Sequence, residues 1–580
     1  MKYILPFLKK YKKESVLAPL FKMLEAFFDL VVPLIVAQII NTGIGNGDNR
    51  YILTRFALML LMALLGLLCS FTAQYFAAKA AIGTSTALRH DLLSHIKTLS
   101  FSELDKIGSS TLVTRMTADV NMVQNGINMF LRLFLRSPFI VFGAMIMAFL
   151  IDFDIALIFA AAIPVLFIIV FGIMFLTKPK YKSQQTQLDK VTSSSRENLE
   201  GVRVIRAFGR EFEEEKSFCE ENTRLSKLQI AAGRLGALMN PLSYIVVNSG
   251  IILILWIGAK KVNSGLLFSG NVIALINYLS QILVELVKLA NLIVLLSKSI
   301  VSCGRIGQIL DTKSTMAYGN VSDSAPDNSE CIRFENVSLK YNETSENSLE
   351  NISFCVKRGE TIGIIGSTGS GKSSLVHLIA RFYDATDGKI TFMGEDIKKW
   401  SRKALRSRIS VVMQRAQLFS GTIRTNLLYG NPNANDTELF EALRIAQAES
   451  FVREKEGGLS AVVEQGGRNF SGGQRQRLSV ARAIAAKPDI LILDDSSSAL
   501  DYATDAAMRR AISEFSKEMT VFIVSQRTAA ILHADKILVL DDGNLVGVGT
   551  HENLLQNCEV YREIYESTSG KEENQNENAE

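Results

Sequence analysis

Six apolar runs within the first 300 residues, a polar break after Val301, and short β-like runs alternating with helical segments beyond it predict two unlike parts. The first is an α-helical transmembrane domain of six spans and the second is an α/β domain. With 580 residues, 48% of them hydrophobic, the chain is too long for one core. Its net charge of +5 is small for that length and argues against a nucleic-acid partner. Cys69, Cys219, Cys303, Cys331, Cys355 and Cys558 are scattered, with no CxxC spacing and no nearby His, which suggests neither a disulfide framework nor a zinc site.

A helix needs about 20 apolar residues to cross the hydrocarbon core. Such stretches fall near 17–40, 55–80, 126–150, 155–177, 238–260 and 270–297. Pro33, Pro138, Pro164 and Gly250 are tolerated inside them, because a span can re-satisfy the backbone groups they disturb. Lys9, Lys10, Lys12 and Lys13 precede the first span, whereas "NTGIGNGDNR" has one Arg and "IDFD" has no cation. By the positive-inside bias the N-terminus and the second domain lie in the cytoplasm and the chain is a multi-pass protein of the cell membrane; "KKVNSG" is an exception to the bias. The basic start has no small-residue cleavage site and does not read as a removable signal peptide. Long polar stretches of helical period between spans two and three, and four and five, are expected to extend the helices beyond the membrane.

The organisation expected is a lead-in at 1–14, a transmembrane domain at 15–305, a Ser/Asp/Asn-rich linker at 306–330, an α/β domain at 331–568 and a disordered polar tail at 569–580. "IRFENVSLKY", "TIGIIG", "ISVVMQ", "ILILDD", "TVFIVS" and "KILVLDDGNLVGVG" are the expected strands.

"TIGIIGSTGSGKSSL" sets Gly366, Ser367, Thr368, Gly369, Ser370, Gly371, Lys372, Ser373 and Ser374 between a strand-like run and a helical one. This is the context that the GxxxxGK[ST] phosphate loop requires. Its glycines let backbone N–H groups wrap phosphate oxygens, the following helix N-terminus favours negative charge, Lys372 adds a cation and the Ser373 hydroxyl can ligate Mg²⁺. The second domain is thereby read as an α/β P-loop nucleotide-binding domain with a helical subdomain, taking a nucleoside triphosphate and Mg²⁺ as cofactors.

Farther on, "RNFSGGQRQRLSVARAIAAKPDILILDD" joins Ser471, Gly472, Gly473 and Gln474 through a helical segment to Asp494 at a strand end. This run resembles the signature motif and Walker B strand of an ATP-binding-cassette protein, and the resemblance makes the nucleotide ATP. With six preceding spans, the chain from about residue 15 to 568 resembles a half-size exporter-type transporter. The resemblance implies that Tyr341 stacks on adenine, that Gln414 meets Mg²⁺ and senses the γ-phosphate, that Asp494 holds Mg²⁺, and that Asp501 ends the D-loop. It also implies that Glu464 and Arg468 contact intracellular loops. Two such domains meet head to tail in this family, so Ser471, Gly472, Gly473 and Gln474 would serve the nucleotide of a partner chain.

Two positions depart from the family's pattern. The expected catalytic Glu is Asp495, one methylene shorter, which withdraws its oxygens by roughly 1.5 Å. The expected switch His, in a "VSHR"-like run, is Gln526, which can hydrogen-bond but carries no charge. Both changes touch hydrolysis and neither touches the groups that bind ATP and Mg²⁺. This combination resembles the degenerate-site subunit of a heterodimeric bacterial multidrug exporter, and it implies a second half-transporter as partner.

Asn277, Gln281, Glu285, Lys288 and Asn291 are spaced to share one face of the sixth span and could line a translocation cavity or pair for structure. Glu25 and Asp29 in the first span and Arg132 and Arg136 in the third are expected to pair near the cytoplasmic boundary. The rest of the cavity would be aromatic and aliphatic, which suits amphipathic small molecules or lipids. An importer built on the exporter scaffold, or an ATP-gated regulatory membrane subunit that transports nothing, are the alternatives. A soluble cassette ATPase is excluded by the spans, and the short lead-in leaves no room for a fused protease.

Overall fold

The computed structural model describes residues 3–322, 330–341, 346–496, 499–515 and 519–576, with side chains to 567. The chain divides into two compact units. One comprises the residues up to Thr98 together with Gly108–Thr312, and the other Leu99–Ile107 together with the residues from Lys313 onward.

The first unit is entirely helical. Among the described residues six rods are long and apolar enough to cross a membrane: Lys12–Ile44, Asn49–Ile96, Ser109–Ile151, Phe153–Glu200, Glu211–Asn263 and Ser269–Asp311. At 1.5 Å per residue the 48-residue second and fourth rods reach roughly 72 Å, more than twice the hydrocarbon thickness, so they include the polar extensions read from the sequence. Short π-helical turns interrupt the first rod at Ile39–Ile44 and the third at Arg115–Asp119. Small residues let the rods approach closely. A Cβ on Gly270 would lie 2.5 Å from the Ala37 carbonyl oxygen, and the Gly270 N–H donates to Asn41 Oδ1 at 2.7 Å, joining the sixth rod to the first.

The cations of "KKVNSG" have a structural explanation. Lys261 Nζ donates to Asp152 Oδ2 at 2.7 Å and to Asp154 Oδ2 at 2.6 Å, so the carboxylates of the short "IDFD" connection neutralise it.

The expected pairing of Asp29 with Arg136 is present, and Arg136 also reaches the sixth rod. Arg136 donates to Asp29 Oδ2 at 2.9 Å and to Glu285 Oε1 at 2.6 Å. Lys288 at 2.9 Å and Ser137 at 2.8 Å complete the coordination of Glu285. Glu25 instead takes Lys22 at 2.5 Å, with Arg136 3.9 Å away, and Arg132 makes no ion pair among the described residues. Removing one member of a buried pair leaves an uncompensated charge, so Arg136→Ala is expected to destabilise the protein by about 3 kcal/mol, the low end for such losses because Lys288 remains. Thermal melts in detergent check this, and adding Glu285→Gln to Arg136→Ala is expected to recover part of the loss.

The lead-in is itself helical at Leu5–Lys10, and the Tyr3 hydroxyl bonds to Asp311. The expected boundary at 305 falls short, because buried Ile306, Gly307 and Ile309 carry the sixth rod on to Asp311. Part of the expected linker is also fixed. Arg381 donates to the Ala317 carbonyl at 2.6 Å, and Val321 bridges to Trp400; residues 323–329 lie outside the described residues.

In the second unit, β1 (Glu330–Leu339), β2 (Leu349–Lys357), β4 (Asp387–Phe392) and β5 (Glu395–Asp396) form an antiparallel sheet of order β2-β1-β4-β5. A six-stranded sheet of order β12-β11-β3-β10-β9-β6 uses β3 (Thr361–Gly366), β6 (Ile409–Val412), β9 (Ile490–Asp494), β10 (Thr520–Val524), β11 (Lys536–Asp541) and β12 (Asn544–Gly549). Every pair in it is parallel except β11 with β12. All five residues of β9 are buried, as a strand covered on both faces requires. A two-stranded ribbon, β7 (Gly421–Thr422) with β8 (Val462–Val463), adjoins the helical subdomain, whose helices Asp436–Ile445 and Gly472–Ala485 bury Leu439, Leu443, Leu478 and Val480.

The short helix Phe101–Ile107 belongs to this second unit although it lies between the second and third spans in sequence. Phe101 packs on Phe382 with ring centroids 4.6 Å apart, the Tyr383 hydroxyl bonds to Asp105, and Thr315 Oγ1 donates to buried Glu103 at 2.7 Å. Burial pushes the Glu103 carboxyl up, but hydrogen bonds from Ser100 and Thr315 outweigh it and hold the group below its ordinary value.

The segment expected to be a disordered tail is helical over much of its length, since the last helix runs Glu559–Asn576. Glu, Lys and Gln in it are good helix formers; residues 577–580 lie outside the described residues.

Candidate nucleotide site

The parallel sheet brings the ends of β3, β9 and β10 side by side, with Val521–Val524 paired to Thr361–Ile364 and Thr520–Val524 to Ile490–Asp494. Loops leaving adjacent parallel strands at their carboxyl ends open on one crevice. A cavity of about 440 Å³ lies there. Thr368, Gly369, Gly371, Lys372, Ser373, Ser374, Gln414, Asp494, Asp495 and Gln526 all line it, although they are spread over nearly 160 positions of sequence.

The loop after β3 needs its glycines for two different reasons. Gly369 and Gly371 have φ of +90° and +97°, where a side chain is strained. Gly366 is needed for space, because a Cβ there would meet the Leu540 carbonyl oxygen at 2.1 Å. The loop closes around Lys372, whose Nζ donates to the carbonyls of Gly366 at 2.8 Å and Ser367 at 2.6 Å. Burial pushes the Lys372 ammonium below its ordinary value, while Asp495 and Asp494 partly offset this. Gly366, Ser367 and Ser370 sit in the same loop without lining the cavity.

Asp494 ends β9, 7% exposed, and its carboxyl is raised by burial first and by the charge of Asp495 second, with Lys372 opposing. A divalent cation bound here would relieve both costs. Ser373, Asp494 and Gln414 supply only oxygens and an amide, a donor set that suits Mg²⁺ completed by water and phosphate. Asp495 lies in the left-handed region at φ +46°, with its N–H bonded to the Val524 carbonyl at 3.0 Å. Its Oδ2 accepts from Gln414 Nε2 at 3.1 Å. Gln526, exposed just past β10, faces the same cavity.

With the Asp494 carboxyl raised in the folded state, the stability it contributes is present below the unfolded value and is lost as pH rises through the folded one. Above the folded value that contribution is gone. Asp494→Asn is therefore expected to stabilise the ligand-free protein by about 1 kcal/mol, or roughly 2–4 °C, while weakening Mg²⁺-dependent nucleotide binding. Melts with and without Mg²⁺ and nucleotide check both parts.

Other expected site residues lie elsewhere. The Tyr341 ring does not line the cavity; its hydroxyl donates to Ser374 Oγ at 3.1 Å, and its ring stands edge-on to Tyr383 with centroids 4.9 Å apart. Ser471, Gly472, Gly473 and Gln474 begin the helix Gly472–Ala485 and are absent from the cavity wall. There Ser471 Oγ accepts from the Gln474 N–H at 3.2 Å, and Gln474 Oε1 accepts from the Ser471 N–H at 3.0 Å, so the S-x-x-Q spacing is a capping box. That signal was available in the sequence. Phe470 before it is buried in the helical subdomain.

Sequence reasoning missed Ser348, Ser525, Asp542 and Gly543, which also line the cavity. Asp542 and Gly543 form the tight turn between β11 and β12, with φ +42° and +77°, and the Asp-Gly pair was the available signal.

A six-rod helical unit followed by a P-loop sheet with a helical subdomain defines a membrane transport ATPase. The ABC transporter transmembrane region family matches residues 15–286, and the ABC transporter family matches residues 349–498. The chain is 35% identical to the ABC transporter ATP-binding protein YfiB of Bacillus subtilis over 99% of both proteins. It is 34% identical to Rv1273c of Mycobacterium tuberculosis over 97% of both. It superposes on a structure of a bacterial Atm1-family ABC exporter with ATP bound, with a TM-score of 0.79 over 95% of this chain and 97% of that one, at 21% identity. The chain belongs to the ABC transporter family and is a multi-pass membrane protein with the exporter-type fold.

Proposed function

We propose that this chain is one half of a heterodimeric ABC exporter that moves amphipathic small molecules or lipids out across the cytoplasmic membrane. Its N-terminus and nucleotide-binding unit face the cytoplasm. The chain binds ATP and Mg²⁺ at the 440 Å³ cavity and hydrolyses ATP slowly there. Lys372 and the loop N–H groups hold the phosphates, Ser373, Asp494 and Gln414 hold the metal, and Asp495 and Gln526 stand where a nucleophilic water must be oriented. When bound, the metal neutralises charge developing on the phosphoryl oxygens. Ser471, Gly472, Gly473 and Gln474 serve the partner's ATP, and closing the nucleotide-binding units of the two chains around nucleotide shifts the spans by favouring one of their states.

The observation that carries this reading is that both residues departing from the hydrolytic pattern, Asp495 and Gln526, line one cavity with an intact binding set. Tyr341 is read as the adenine platform after its ring turns from Ser374. The test is to purify the chain alone and with a second half-transporter carrying the usual Glu and His, and to measure ATPase activity and efflux of a lipophilic dye from vesicles. Activity is expected only from the pair. A homodimer turning over at full exporter rates, silenced by Asp495→Asn, overturns the reading, and ATP-driven uptake of the dye reverses its direction.

A further inference from the structure

A second cavity, of about 520 Å³, lies inside the helical unit between the first, third and sixth rods. Its charge arrangement goes beyond a generic amphipathic pocket. Glu285 is nearly fully buried and accepts from Arg136, Lys288 and Ser137, which leaves it little capacity for a ligand. The pair that does face the space is Asp29 and Lys288, whose side chains are 44% and 43% exposed. Among the described residues Asp29 has one hydrogen-bond partner, Arg136 Nη2, and Lys288 has one, Glu285 Oε1, so the carboxylate and the ammonium both keep bonding capacity. Gln281 also lines the cavity. Val32, Pro33, Val36, Ile140 and Val284 supply an aliphatic wall.

Deepening the export reading, on which this rests, we infer that the cavity selects small amphipathic zwitterions. Asp29 takes an ammonium, Lys288 takes a carboxylate or phosphate, and the aliphatic wall takes the apolar body. A singly charged molecule would strip water from one of the two facing charges without replacing the hydrogen bonds that water made, a cost that a zwitterion avoids. Asn277 lines the cavity as the sequence pattern expects, whereas Asn291 does not.

Such a zwitterion has two sources, peptides and phospholipid headgroups, and the test distinguishes them. The full transporter in nanodiscs is titrated with leucyl-phenylalanine, its N-acetyl form and its C-terminal amide, and separately with dihexanoylphosphatidylethanolamine and its N-acetyl form. A fluorescent ATP analogue is measured on the same sample. The uncapped compound of at least one series is expected to bind about tenfold more tightly than its capped forms. Asp29→Asn is expected to erase discrimination against N-acetylation, and Lys288→Gln discrimination against the amide. Equal binding of capped and uncapped forms in both series, or discrimination that survives both variants, overturns the charge assignment while leaving amphipathic export standing. If no compound binds while the ATP analogue does, the cargo class falls as well.

Discussion

Asp495→Glu combined with Gln526→His is expected to raise ATP turnover at this chain's own site by on the order of a hundredfold. A carboxylate one methylene longer reaches roughly 1.5 Å farther, the difference between orienting a water and missing it. The imidazole adds a group that can carry positive charge beside the γ-phosphate, where Gln526 offers only an amide dipole. The 3.1 Å bond to Asp495 uses the Gln414 amide nitrogen, so the amide oxygen stays available to the metal whichever carboxylate stands at 495. Asp495 sits at φ +46°, a region Asp tolerates better than Glu, so the gain is expected to cost about 1 kcal/mol of stability. The measurement is ATPase activity of the assembled pair with the partner's own catalytic carboxylate removed. An unchanged rate would show that these two residues do not limit the site.

Gly472→Asp is expected to cut turnover at the partner's site by at least about a hundredfold while this chain folds and binds ATP normally. Among the described residues a Cβ at Gly472 meets Ala499 Cβ alone, at 3.8 Å, so the substitution clashes with none of them. Its carboxylate would stand at the N-terminus of the helix Gly472–Ala485, where the partner's phosphate is proposed to approach, and would compete for the same N–H groups. A fluorescent ATP analogue reports this chain's own binding, and phosphate release by the pair reports the partner's site. Parallel loss of both would mean that Gly472 serves this chain's own fold or nucleotide.

Much of this architecture was legible because its signals are local. Hydrophobic run length marked six rods, and strand-like runs marked β1, β3, β6, β9, β10 and the β11–β12 hairpin. β2 was missed because "LENISFCVK" is half polar, as suits a sheet edge. The P-loop was readable because Gly366, Gly369 and Gly371 each answer a backbone requirement that no other residue meets. Side-chain partnerships between distant segments were less legible. Spacing could place Glu285 and Lys288 on one face, but not tell that Arg136 would join them, since that choice is made by how the third rod packs. Likewise no periodicity could show that Tyr341 would face Ser374 and Tyr383, because a loop residue's orientation depends on the helix beneath it. Lys261 looked like a breach of a charge rule until its partners Asp152 and Asp154 were seen.

The short helix Phe101–Ile107 determines how this protein can be dissected. A fragment beginning at Lys313 would carry both sheets and the whole P-loop, yet it would lack a helix that its own fold uses. Phe382 would lose the ring packed against it, and Tyr383 and Thr315 would lose their carboxylate partners. Such a fragment should be prone to self-association through that uncovered aromatic surface. A synthetic peptide of residues 99–107 should bind it in trans and restore solubility, which makes the excised nucleotide unit a split protein whose missing piece lies between two membrane spans.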